Sequence, residues 1–185
     1  MSSDAPGNVD RGTFHVKRCR GVKEPWFCEA CGETHDEVPS FIALSYPASW
    51  TAESAAHPES ELLAAACVIR GDRFFFHALA LIPVTNAPQT FEWRLWVEVA
   101  ERDFITRCSR WFTTGRENDP PIRAQLAVTL PGYGGSTVGI PGLLQDQPVG
   151  LHPLFTISDP GHLLAREQKV GISVSRVVEL AQASH

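Results

Sequence analysis

Apolar and polar residues alternate most regularly between residues 67 and 100. Within residues 90–100, one face of the alternation carries Phe91, Trp93, Leu95, Val97 and Val99, and the other carries Glu92, Arg94, Trp96 and Glu98. A period of two is typical of a β-strand with one buried face. Because Trp96 shares the polar face, either a helix covers it, which we favour, or it is offered to a partner.

Three further stretches complete the predicted sheet. Residues 67–70 and 73–84 flank the pair Gly71-Asp72, which predicts a hairpin with a tight turn. A period of two over residues 124–130 predicts another strand, and residues 151–157 predict the last one. Alternation of this kind is typical of antiparallel strands with one solvent-facing side. Glycine and proline crowd the intervening residues 131–150, which predicts a long loop or a broken hairpin.

Helical signals flank the strands. Pro58 suits the first turn of a short helix over residues 59–66. An apolar stripe predicts a second helix over residues 104–112, and Cys108, which lies on that stripe, is expected in the core.

Two caps predict the remaining helices. Asp159 with Pro160 favours the start of a helix that Gly171 ends. Ser173 can cap a final helix that continues through Ala181.

The order of these elements predicts a single α+β domain, with a mainly antiparallel sheet and a few flanking helices. Residues 1–12 form a flexible tail in this prediction, and residues 13–185 form the domain, with a short strand over residues 13–19. Residues 20–50 contain a cysteine-rich turn and an irregular arm laid over the core. Residues 59–185 supply the sheet and the helices.

Composition narrows the class of protein. The chain has 185 residues and a net charge of −5, without a large cluster of Lys and Arg, which argues against nucleic-acid binding. The longest apolar run, residues 74–84, is too short for a membrane span. The start of the chain does not resemble a signal peptide, so we expect a cytoplasmic protein whose five cysteines stay reduced.

The stretch Cys28-x-x-Cys31-Gly32-x-x-His35 is the one cluster with metal-ligand spacing. Two cysteines two residues apart can direct both thiolates to one ion, the glycine allows the turn, and the histidine adds an imidazole. The spacing therefore predicts a zinc site. A redox pair is a weaker alternative because no helix begins at Cys28, and two unliganded thiols are another.

A tetrahedral zinc site needs a fourth ligand. Cys67, His162 and, more weakly, Cys19 are candidates for it. Four protein ligands would make a structural site. Three ligands and a water would leave room for hydrolysis, with Glu33 or Asp36 as a base.

Blocks spread along the chain carry a family resemblance. They are the cysteine turn with Pro39, residues 67–76, Ile82-Pro83, Phe91-x-Trp93-x-x-Trp96, Leu130-Pro-Gly-Tyr133, His162-Leu-Leu-Ala165 and Glu167-Gln168-x-x-Gly171-Ile172-Ser173. In this order they resemble the bacterial domain-of-unknown-function family 2199, from about Phe27 to the C-terminus. The resemblance implies a small bacterial protein and supplies no mechanism.

The sequence leaves two function classes open. The favoured one is a non-enzymatic module with a structural zinc site that binds another protein or regulates one. The alternative is a zinc-dependent hydrolase with an open site at Cys28, Cys31 and His35. The oligomeric state is not indicated.

Overall fold

The computed structural model describes residues 23–184. The predicted tail, the predicted strand over residues 13–19, and Cys19 lie outside the described residues. The strands are β1 (Trp26–Cys28), β2 (Glu33–His35), β3 (Phe41–Ala43), β4 (Glu61–Leu62), β5 (Ala66–Ile69), β6 (Arg73–Pro83), β7 (Thr90–Val99), β8 (Ile122–Leu126), β9 (Pro141–Gln145) and β10 (Leu154–Ile157). The helices are α1 (Ala52–Ala55), α2 (Glu101–Ser109), α3 (Leu163–Val170) and α4 (Val174–Gln182), with a 3₁₀ turn at Arg116–Asn118. Helices and strands in one compact unit confirm the α+β class.

Strands β6 to β10 form a closed five-stranded barrel. Each strand pairs antiparallel with the next along the chain, from β6–β7 through β9–β10. Strand direction therefore alternates, and the first and fifth strands must run the same way. β10 accordingly meets β6 in parallel, with Leu154 beside Leu79, and this contact closes the ring.

The hairpin predicted around Gly71 is confirmed. β5 pairs antiparallel with β6, and Ile69 lies opposite Arg73. Arg70 and Gly71 both have positive φ, 54° and 70°. Two successive residues of this kind fit the right-handed twist of the flanking strands, which is why such turns dominate tight hairpins.

Alternate positions of the barrel strands fill the core. The apolar residues predicted to share a face of β7 are all buried: Phe91, Trp93, Leu95, Val97 and Val99. On β9, Gly142 occupies a point where the neighbouring strand comes too close for any side chain. A Cβ there would lie 2.4 Å from two ring carbons of Phe155 and 2.6 Å from the carbonyl oxygen of Thr156.

Helices pack beside both ends of β6. Near its start, the Phe104 ring of α2 lies 5.2 Å from Phe74 and 4.8 Å from Phe76 between centroids. Near its end, Ile172, which follows α3, donates its backbone N–H to the carbonyl of Pro83 at 2.8 Å. The helices thus complete a core that starts between the strands.

The arm over residues 39–50 is more regular than predicted, because β3 pairs in parallel with β7. The arm also explains why Trp96 lies on the polar face of β7. Trp96 is only 2% exposed, and its Nε1–H donates to the carbonyl of Leu44 at 3.1 Å. The arm, rather than the helix that we expected, supplies this contact.

One predicted helix does not form, and another begins later than predicted. Residues 59–66 do not form a helix, because Glu61–Leu62 forms β4 and pairs with β5. The helix predicted from Asp159 begins only at Leu163. The final helix, capped by Ser173, is confirmed.

The core position predicted for Cys108 was also wrong. Cys108 is exposed, whereas its neighbour Arg107 is buried at 6% exposure. The guanidinium of Arg107 donates to the Asp146 carboxylate and to the carbonyl of Pro120. Because these partners satisfy the charge, the helix turns its arginine inward and leaves the thiol outside.

Candidate metal centre

The cysteine turn is a small β-hairpin formed by β1 and β2. The two strands pair antiparallel, with Trp26 opposite His35 and Cys28 opposite Glu33. At the bend, Gly32 has a φ of +74° and donates its N–H to the carbonyl of Cys28 at 2.8 Å. Glycine adopts this left-handed backbone without steric cost, so the chain can reverse immediately after the second cysteine.

The reversal gathers three potential metal ligands. The ligand atoms of Cys28, Cys31 and His35 all lie within 4.8 Å of one another, and Cys31 Sγ is 3.3 Å from His35 Nε2. Cys28 is buried, His35 is half-buried and Cys31 is exposed. The group is therefore anchored on one side and open to solvent on the other.

Neighbouring side chains hold the hairpin in place. The Trp26 ring stacks on the imidazole of His35, with centroids 4.7 Å apart and planes 22° apart. Trp26 in turn donates its Nε1–H to the carbonyl of Glu37 at 3.2 Å. From the other side, the Gln182 amide of α4 donates to the carbonyl of Phe27 at 3.3 Å.

Hydrogen bonds around Cys28 make its thiolate easier to form. Burial works to raise the pKa of Cys28, but hydrogen bonds from the backbone and thiol of Cys31 and from the backbone of Ala30 outweigh it. The pKa of Cys28 is therefore lowered. A thiolate is the form in which cysteine binds metals.

The donor set fits a zinc ion. Two sulfurs and one imidazole nitrogen are ligands that Zn²⁺ accepts in structural sites, usually with a fourth ligand that completes a tetrahedron. Cys28 and Cys31 would supply the thiolates, and His35 would supply the nitrogen.

Two other predicted ligands are not members of this group. Cys67 is a fully buried residue of β5, and burial raises the pKa of its thiol to about 11. His162 is the N-cap of α3, where its Nδ1 accepts a hydrogen bond from the backbone N–H of Leu164 at 3.1 Å. Of the five predicted ligands that lie within residues 23–184, the structure brings together three.

The structure also shows two polar groups that the sequence did not suggest. His77 and His152 lie side by side although 75 residues separate them. Tyr133 and Glu167 are joined by a hydrogen bond between loop and helix. Tyr133 and Glu167 both lie in the sequence blocks that carry the family resemblance. Nothing local in the sequence, however, indicates that the two residues of either pair are in contact.

Fold and centre together define a small α+β protein, built on a closed five-stranded barrel, that carries a Cys-Cys-His hairpin beside its last helix. Within residues 23–184, no helix has the length and apolar character needed to cross a membrane.

The chain belongs to the family DUF2199, described as an uncharacterised protein conserved in bacteria, whose model matches residues 27–172. This match confirms the resemblance seen in the sequence. No curated protein and no solved structure matches the chain.

Proposed function

We propose that this protein is a non-enzymatic module that binds or regulates another protein, and that a structural Zn²⁺ shapes its N-terminal hairpin. The observation that carries the proposal is the approach of the ligand atoms of Cys28, Cys31 and His35 to within 4.8 Å. Two thiolates donate charge to the metal and weaken it as a Lewis acid, which favours a structural role over a hydrolytic one.

Exposed aromatic residues on the hairpin and on the arm support a binding role. Phe27 of β1 is 58% exposed, and Tyr46 of the arm is 53% exposed. Large aromatic side chains are enriched at protein interfaces because each buries much apolar area at a small entropic cost. A metal that fixes the hairpin would fix the orientation of Phe27 as well.

The first experiment measures zinc and local stability together. The purified chain should contain one tightly held Zn²⁺ at this centre. Cys31→Ser should lose that ion and speed amide hydrogen exchange in residues 23–43, because metal binding energy counts as folding energy for the segment. Strands β6 to β10 should stay protected, since the hairpin adds only the partly buried Trp26 to the edge of their core.

Cys108→Ser is the matched control, because Cys108 is an exposed cysteine on α2. It should leave both the zinc content and the exchange pattern unchanged. Unchanged exchange in residues 23–43 of the Cys31 variant would mean that no metal stabilises the hairpin. Global unfolding of that variant would mean that the metal supports the barrel too.

The binding role needs its own test. Pull-down from a bacterial lysate with the zinc-loaded chain, followed by the same experiment with Phe27→Ser, should recover a partner only with the unchanged protein. Equal recovery by both chains would place the interface elsewhere. Recovery of nothing, together with turnover of esters or phosphoesters, would contradict the proposal.

A zinc hydrolase is the second candidate, because the described residues bring only three ligands together and leave a fourth position for water. Glu33, on the same hairpin, or Asp36, directly after His35, would be the base. Cys19, which lies outside the described residues, is the remaining predicted cysteine for that position. X-ray absorption of the zinc-loaded chain distinguishes the two: three sulfurs favour a closed structural site, and a coordinated water favours hydrolysis.

A further inference from the structure

Two histidines from distant parts of the chain face each other beside the barrel. His77 lies in β6, and His152 lies two residues before β10. Their Nδ1 atoms are 3.4 Å apart, and the ring planes cross at 74°. The parallel pairing of Leu154 with Leu79 accounts for this contact, because the residues two positions before each leucine then come side by side.

The distance between the two nitrogens matches the spacing that a tetrahedral metal ion imposes. Zinc binds an imidazole nitrogen at about 2.0–2.1 Å, so two such nitrogens at the tetrahedral angle lie roughly 3.3–3.4 Å apart. Hydrogen bonds from N–H to oxygen are usually shorter, at about 2.7–3.2 Å. The observed 3.4 Å between the two nitrogens lies at the long end for a hydrogen bond and within the spacing for a shared ion.

The surroundings hold the ring of His77 and the backbone of His152 in place. The His77 ring packs edge-on against Trp96, with centroids 5.2 Å apart. The backbone of His152 is held by the side chain of Gln147, which donates to its carbonyl, and by Arg116, which donates to the preceding carbonyl at 2.8 Å. Ligands that are already oriented bind a metal at a smaller entropic cost.

Burial and nearby positive charge act on both imidazoles. Burial, the neighbouring His152 imidazole and the charge of Arg94 together lower the pKa of His77 to about 4. Burial likewise lowers the pKa of His152. The positive charge of Arg94 is partly balanced by Glu92, whose carboxylate lies 3.2 Å from its guanidinium.

We propose that His77 and His152 form a second metal site, which binds a divalent ion such as Zn²⁺ or Co²⁺ through their two Nδ1 atoms. Among residues 23–184, the pair is not part of a group of three or more ligands. Water or a small anion therefore fills the remaining positions, and the nearby arginines favour an anion. With only two protein ligands, this site holds its ion more weakly than the hairpin does.

Cobalt distinguishes the two sites in one titration. The metal-free full chain is titrated with Co²⁺, and absorbance is followed. A thiolate centre gives a sulfur-to-cobalt charge-transfer band, whereas an imidazole site gives only ligand-field bands. We expect two equivalents to bind, of which the first produces the charge-transfer band and the second does not.

Variants assign the second equivalent. His77→Gln and His152→Gln should each reduce the stoichiometry from two ions to one and keep the charge-transfer band. The circular dichroism spectrum of each variant should match that of the unchanged chain, which shows that the barrel is folded. His57→Gln is the matched control, because His57 is a half-buried histidine elsewhere in the chain, and it should keep both ions.

A single equivalent that gives the charge-transfer band in the unchanged chain would overturn the proposal without reference to any variant. Two equivalents that persist in both histidine variants would overturn it as well. The result is separate from that of the hairpin: loss of the charge-transfer band with a surviving ligand-field signal would contradict the zinc hairpin and leave the histidine site in place.

Discussion

Removal of one hydroxyl group, in Tyr133→Phe, tests the polar contacts that tie the loop after β8 to the last two helices. The Tyr133 hydroxyl donates to the Glu167 carboxylate of α3 and accepts the Nε1–H of Trp93 at 3.3 Å. Arg176 of α4 donates to the other oxygen of Glu167 at 2.9 Å. Burial raises the pKa of Tyr133, and the adjacent carboxylate adds to the rise, so the phenol stays protonated and able to donate.

The expected loss follows from what the substitution leaves behind. A hydrogen bond to a charged group contributes about 1.5–3 kcal/mol to stability, and a buried donor left unpaired costs about 1–3 kcal/mol. Trp93 is fully buried and Glu167 is 5% exposed, so water cannot easily replace the hydroxyl. The two effects overlap, because Arg176 still pairs with Glu167. We therefore expect Tyr133→Phe to lower the free energy of unfolding by about 3 kcal/mol.

Urea unfolding followed by tryptophan fluorescence measures this difference, and thermal unfolding should show a Tm lower by roughly 6–12 °C for a chain of this size. The chain has one other tyrosine, Tyr46, which is 53% exposed. Tyr46→Phe removes the same atom from the surface and should change stability by less than about 0.5 kcal/mol.

Equal effects of the two substitutions would refute the reasoning, because they would show that the Tyr133 hydroxyl makes no bond that water could not make. A second readout uses Tyr46→Phe, in which Tyr133 is the only tyrosine. Its phenolate absorbance at pH 11 should appear only when urea unfolds the chain. Ionisation of the native protein at that pH would contradict the buried, hydrogen-bonded phenol.

Two further substitutions probe the packing of the sheet. Gly142→Ala should cost on the order of 1–3 kcal/mol in urea unfolding, because the new Cβ would meet the Phe155 ring and the Thr156 carbonyl, whereas Gly161→Ala in an exposed turn should cost little. As pH rises from about 9 to 11, Cys67→Val should gain stability relative to the unchanged protein. Because burial raises the pKa of the Cys67 thiol, the unfolded chain loses this proton at a lower pH than the folded chain does. Deprotonation of the unfolded state therefore lowers the free energy of unfolding of the unchanged protein by about 2 kcal/mol by pH 11. A stability difference independent of pH over this range would show that the Cys67 thiol is not buried.

The strands with one buried face were predictable because their signal is local. β6, β7 and β8 pair with one another and each buries one face, so apolar residues recur at every second position. This period of two appears in the sequence without knowledge of the partner strands. β9 gives no such signal. Its inward positions hold Gly142 and Leu144, and a glycine in a proline-rich stretch indicates a turn until the closeness of Phe155 is known.

Two errors came from contacts that the local residue pattern does not contain. Residues 59–66 are rich in helix-forming residues, but pairing with β5 imposes a strand at Glu61–Leu62, and tertiary contacts override such weak preferences. Arg107 is buried in α2 because Asp146, 39 residues later, accepts its charge. The apolar stripe that predicted Cys108 in the core contains no information about that carboxylate.

The candidate metal centre was predictable to the same extent that it is local. Cys28, Cys31 and His35 span eight residues, and one glycine turn is enough to bring them together. A fourth ligand depends on how distant elements meet. Cys67 and His162 were therefore predicted as ligands from residue type alone. In the fold, Cys67 is a buried residue of β5 and His162 is the N-cap of α3.

The closure of the barrel explains why the histidine pair could not be foreseen. Five strands joined in sequence alternate in direction, so β10 must meet β6 in parallel. The register of this pair, with Leu154 beside Leu79, places the residues two positions earlier, His152 and His77, side by side. A shift of that register by one residue would place Leu151 or Pro153 beside His77 and turn the imidazole of His152 to the other face. The metal site that we propose is thus a consequence of the strand number and the register. It should disappear in any variant that changes the register of β10, even when both histidines are kept.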